Sequence, residues 1–220
     1  MHYLGLAVYA EGSSDYQFLR PLLQRVCEDV CINRANRSVD VTEVIPLNHE
    51  PSRNYASRQD RIVNAAIQHR GAWRIVFVHG DGGGDSTASR AALVQPGLNL
   101  LSIQFPDCRG VAVVPVRETE AWAIVDGDAL RQVFCTNLTN SEMGIPSDAR
   151  AVEANLDPKA TLKAAYLATN PARQRRRHGV GSYLGALGES VSLDRLRLLR
   201  SFQAFECELT RSLDEIGIFR

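Results

Sequence analysis

The chain has 220 residues, 45% hydrophobic and 23% charged, with zero formal net charge. That balance suits one globular domain with an appendage, excludes fibres and wholesale disorder, and leaves any affinity for nucleic acid to local patches. Five cysteines without a CxxC pair or zinc-ligand spacing fit a reducing cytoplasm, and no apolar run reaches membrane-spanning length, so the expectation is a cytoplasmic protein that is neither secreted nor membrane-embedded.

Tyr3 to Tyr9 reads as a first strand, ending at Glu11-Gly12-Ser13-Ser14-Asp15. The helix that follows carries Phe18, Leu19, Leu22, Leu23 and Val26 at helical spacing, and Cys27 and Cys31 on it read as small core residues. Asp15 suits the first turn of that helix as a dipole partner, whereas nothing about capping calls for Glu at position 11. Val39 to Leu47 reads as a second strand, Asn48 to Ser57 as a polar connection and Arg58 to Arg70 as a helix.

Arg74 to His79 is the central strand, apolar enough to be buried on both faces, and it ends in Asp81. Gly82, Gly83 and Gly84 separate Asp81 from Asp85. The loop lacks the Lys-Ser/Thr of a phosphate cradle, so a divalent cation is the fitting partner for its acids; an ordinary surface turn is the alternative for Asp85. Thr87 to Leu101 reads as a helix disturbed near Pro96-Gly97, and Gly110 to Val116 as a fourth strand delivering Glu118, Thr119 and Glu120. If the strand persists, both glutamates share a side; if a helix starts there, one alone faces the site.

Beyond Asp126 the pattern is helical: Ala129 to Phe134, a loop from Cys135 to Leu156, Pro158 to Thr169, and a long last helix capped by Ser192 and ending near Gly217. The predicted fold class is α/β, a mostly parallel sheet of about four strands flanked by helices (residues 1–126), with a helical C-terminal extension (127–220) packed on it. Lys159 and Lys163 are the only lysines. Arg173, Arg175, Arg176 and Arg177 form a basic run whose alternatives are a solvated loop and a phosphate grip.

Parallel strands set their carboxyl ends along one edge, so Glu11 with Asp15, Asp81 with Asp85, and Glu118 with Glu120 can converge there. Together they would repel one another unless protonated or holding metal, and two Mg²⁺ or Mn²⁺ ions would suit phosphodiester hydrolysis. A strand ending in Glu11-Gly12, a later one ending in Asp81, and acids after a further strand resemble the Toprim fold of primases, topoisomerases and OLD-type nucleases. Glu118-Thr119-Glu120-Ala121, Pro158-Lys159 and the Phe202 to Leu213 helix resemble, in order, a bacterial Toprim-like family of unassigned function. The usual Asp-x-Asp is stretched here to Asp81 and Asp85.

The resemblance implies a Mg²⁺- or Mn²⁺-dependent nuclease, acting on DNA in preference to RNA, in anti-phage defence beside an AAA- or ABC-type ATPase. Glu11, Asp81 and Glu120 are the expected core ligands, Asp15, Asp85 and Glu118 secondary ones, and Lys159 a stabiliser of phosphoryl charge. A non-cleaving subunit regulating an ATPase and a small-molecule phosphohydrolase remain the alternatives.

Overall fold

Four strands form the centre of the computed structural model, which describes residues 2–10, 12–48 and 55–220. β1 (His2–Tyr9) leads into α1 (Ser13–Arg34), and β2 (Val39–Pro46) into α2 (Arg58–Gln68). β3 (Ile75–His79) is followed by α3 (Ser86–Ser89), a π-helical stretch (Arg90–Val94) and α4 (Gln95–Gln104), and then by β4 (Arg109–Val113). The rest is helical: α5 (Glu120–Ile124), α6 (Gly127–Phe134), α7 (Ala149–Ala154), α8 (Pro158–Ala168), α9 (Arg173–His178), a 3₁₀ turn (Val180–Tyr183), α10 (Leu184–Ser190), α11 (Leu193–Leu196) and α12 (Arg200–Glu215). No helix among the described residues is long and apolar enough to cross a membrane.

The sheet order is β2-β1-β3-β4 and every pairing is parallel, so the α/β class, the four-strand count and the helical C-terminal region agree with the sequence. Alternate residues feed two cores. Leu6, Val8, Ile75, Phe77, Val111 and Val113 face α1 and the C-terminal helices, whereas Ala7, Tyr9, Val76, Val78 and Ala112 face α2 and α4. Each Leu or Phe buried this way stabilises the fold by roughly 1.5–3 kcal/mol. The chain runs outward from β1 to β2, then crosses back to β3 and on to β4. The carboxyl ends of β1 and β3 therefore flank the point where winding reverses, the crevice where open α/β sheets take ligands.

The C-terminal helices share a core with the sheet: Trp122 meets Phe202 edge-on at 5.2 Å between centroids, and Phe205 lies 6.0 Å from Phe77. Helix α12 also shields the open edge of β4, where the Ala112 N–H donates to Glu208 Oε1 at 3.1 Å.

Several sequence expectations are corrected. β4 stops at Val113, three residues early, because Pro115 has no N–H to extend a ladder and the carbonyls of Val116 and Arg117 accept from the glycine loop instead. The disturbed helix is interrupted before Pro96, at the π-helical stretch. The 135–156 loop contains α7, and the arginine run is a short exposed helix, α9, rather than a loop. Ser192 caps only the four-residue α11, through Arg195 N; extended Leu199 then breaks the chain before α12. Of the polar connection 48–57, residues 49–54 lie outside the described residues.

Candidate acidic site at the strand ends

Three backbone segments are fixed at the carboxyl edge. Tyr16 ties the ends of β1 and β2 together: its hydroxyl accepts from Ala10 N at 3.0 Å and lies 2.8 Å from the carbonyl oxygens of both Ala10 and Leu47. Burial pushes this phenol up to about 12, which keeps it a neutral donor. Glu11, next in the chain, lies outside the described residues. At the start of α1, Asp15 accepts from Gly12 N at 3.2 Å, and it also receives the Thr119 hydroxyl at 2.9 Å. The capping role read from the sequence and a place at the edge therefore belong to one side chain.

β3 delivers His79 and, two residues on, Asp81. The glycine loop beyond is stitched to the segment after β4: Gly82 N and Gly84 N donate to Arg117 O and Val116 O at 2.8 and 2.9 Å. A Cβ on Gly82 would sit 2.1 Å from Pro115 O, so only glycine allows this approach. Those amides are consumed by protein carbonyls and cradle no phosphate. The stitching delivers Glu118, Thr119 and Glu120 beside the end of β3. Helix α5 begins at Glu120, so the two glutamates do not share a strand face.

The charges converge on Asp81. Partial burial, then the charges of Asp15, Glu118 and Glu120, push its carboxyl up to about 6, while Lys159 pulls it down. Its side chain keeps 56% of its surface open, so water screens part of this push. Burial also raises Glu120, again opposed by Lys159. His79, 2% exposed, has Nε2 3.4 Å from Asp81 Oδ1 and 3.0 Å from Thr119 Oγ1, with Nδ1 4.0 Å from Asp15 Oδ2. Burial pulls its imidazole down to about 4, so it is neutral at neutral pH.

Asp15, Asp81, Glu118, Glu120 and Lys159 thus share one electrostatic neighbourhood. Asp85 does not join it: exposed, it caps α3 by accepting from Ala88 N at 2.9 Å. The arginines of α9 are exposed, and Arg176 donates to Asn170 Oδ1 at 3.2 Å.

Sequence reasoning missed three residues. His79 shares strand parity with Asp81, a signal that was there to read; Thr119 and Arg58 gave none. The Arg58 guanidinium donates to His79 O at 2.7 Å and to Leu93 O at 2.8 Å, bracing the end of β3 from the opposite face.

Among the described residues no three His, Cys, Asp or Glu side chains stand close enough to form a ready metal cage; the neighbours of Asp81 act on it through their charges. The donor chemistry fits a hard divalent cation, being all carboxylate oxygen, and Glu118 Oε2 is buried without a hydrogen-bond partner. A groove of about 800 Å³ lies away from this edge, between α1 and α12, where Arg197 pairs with Asp29 and Glu206. No protein-family model, curated protein or solved structure matches the chain.

Proposed function

We propose that the protein is a metal-dependent phosphodiester hydrolase of Toprim-like type, a cytoplasmic nuclease acting on DNA in preference to RNA at the carboxyl edge of the sheet. The observation that carries this reading is the crowding of Asp15, Glu118 and Glu120 around Asp81 at the winding reversal, where burial first and then like charges raise Asp81 and one lysine opposes them. Asp81 and Glu120 would hold Mg²⁺ or Mn²⁺, with Glu11, Asp15 and Glu118 as further ligands. Such a cation, when bound, polarises a phosphoryl oxygen and lowers the pKa of water.

The chain's own groups account for the other requirements of the reaction. Exposed Lys159 lies within electrostatic reach of both Asp81 and Glu120, where its ammonium offsets phosphoryl charge. Arg173, Arg175, Arg176 and Arg177 of exposed α9 offer backbone phosphates sequence-independent contacts. The loop after β3 offers no phosphate cradle, its glycine amides being occupied, and action beside a partner ATPase is the setting in which phage defence is proposed.

The test incubates the purified protein with single-stranded DNA, double-stranded DNA and RNA, with Mn²⁺ or with a chelator, beside Asp81→Asn. Cleavage that needs Mn²⁺ and Asp81 is expected. Equal cleavage by Asp81→Asn, or no cleavage of any of the three with Mn²⁺ present, contradicts the proposal.

A further inference from the structure

A histidine on a strand buried on both faces is costly when a leucine would fill the same space, because its ring nitrogens must be taken out of water. His79 is such a residue, and the hydroxyl of Thr119, itself 3% exposed, is what meets it. We propose that His79 and Thr119 are positioning residues that lock Asp15 and Asp81 in place for cation binding, the Thr119 hydroxyl being the hub that joins three strand ends. This inference rests on the cation-site reading above.

The hydrogen-bond directions follow from valence. A hydroxyl has one proton, and the carboxylate of Asp15, 2.9 Å away, can only accept it. The same oxygen must then accept from His79 Nε2 at 3.0 Å, so Nε2 carries a proton. That N–H lies 3.4 Å from Asp81 Oδ1, presenting a positive edge to the carboxylate that its neighbours crowd. Asp15 is held at both oxygens, Oδ1 by Thr119 and Oδ2 by Gly12 N. The chain of contacts runs from β3 (His79, Asp81) through the corner after β4 (Thr119) to the start of α1 (Asp15). Groups that orient metal ligands in this way typically change affinity 10–100-fold when removed.

The experiment measures Mn²⁺ affinity by calorimetry on the full chain and, in metal-free protein, the position of the imidazole proton by two-bond ¹H–¹⁵N NMR. Thr119→Val keeps shape and removes the hub, whereas Thr119→Ser keeps the hydroxyl. Expected are a proton on Nε2, Mn²⁺ binding weakened about tenfold in Thr119→Val and restored to within about twofold in Thr119→Ser. Should Thr119→Val fail to fold, His79→Gln, which keeps an N–H near the Nε2 position, is compared with His79→Leu, and weakening in the leucine variant alone is expected. The inference is overturned by a proton on Nδ1, or by wild-type Mn²⁺ affinity in Thr119→Val or His79→Leu while Asp81→Asn has lost binding. Mn²⁺ binding that is equal in the wild type and Asp81→Asn is a different failure: it removes the cation site, and this inference with it.

Discussion

Asp126 and Asp81 are the same chemical group put to opposite uses. Asp126, 4% exposed, accepts from Asp128 N, Ala129 N and Ser192 N at 3.0, 3.2 and 2.9 Å, so its charge is matched by backbone donors that tie α6 to the start of α11. Asp81 is more open and faces three carboxylates with one opposing lysine among the charges that shift it. A carboxylate saturated with N–H donors holds a fold together, and one crowded by its own kind destabilises the fold until a cation arrives. Burial alone would single out Asp126; what surrounds the carboxylate is the ground for proposing Asp81 as a ligand.

Substitutions break this contrast in order of size. Asp81→Asn should lower Mn²⁺-dependent cleavage by roughly 10²–10³-fold while the far-ultraviolet spectrum stays that of the wild type, since a charge is lost where the reaction needs it and no core contact goes. Asp126→Ala should do the reverse. Three N–H groups lose their acceptor, costing about 3 kcal/mol in urea unfolding, with cleavage per folded molecule unchanged. Gly82→Ala should fall between the two classes: its Cβ meets Pro115 O and Val116 O at 2.1 and 2.3 Å. Pushing the two loops apart costs about 2 kcal/mol and moves Glu118 and Glu120 from the edge, so stability and cleavage should drop together.

The smallest effect is in pH dependence. Below 3.8 Asp81 is protonated folded or unfolded and adds no penalty; between 3.8 and about 6 the unfolded chain ionises it while burial and the neighbouring carboxylates keep it protonated in the fold, so its contribution to stability is lost across that window. Relative to the wild type, Asp81→Asn should therefore gain melting temperature across that window, and parallel curves would mean that the fold does not raise Asp81.

Much of this architecture is written locally. The unbroken apolar run of β3 and the helical spacing of Phe18 to Cys31 give strand and helix without tertiary information, and strand-helix alternation gives the parallel sheet. Asp81 is legible because an acid ending a buried strand has few structural reasons to be there. What was not legible depends on partners distant in sequence. The glycine amides are spent on Val116 and Arg117, a use that shows only when the segment after β4 is in place. Thr119 is one hydroxyl among many until His79 and Asp15 meet on it. The break between α11 and α12 has no glycine or proline to announce it. Arg197 there pairs with both Asp29 and Glu206, contacts that only the assembled fold supplies.

Whether a divalent cation relieves the crowded edge is read from thermal unfolding with and without Mn²⁺. A cation bound only by the folded state, at about a hundred times its dissociation constant, adds about 2.7 kcal/mol, which for a chain of this size raises the melting temperature by roughly 5–10 °C. At neutral pH the wild type and Asp85→Ala, whose carboxylate caps α3, should both show such a rise, and Asp81→Asn none. An equal rise in the wild type and Asp81→Asn, or no rise in either, would contradict it.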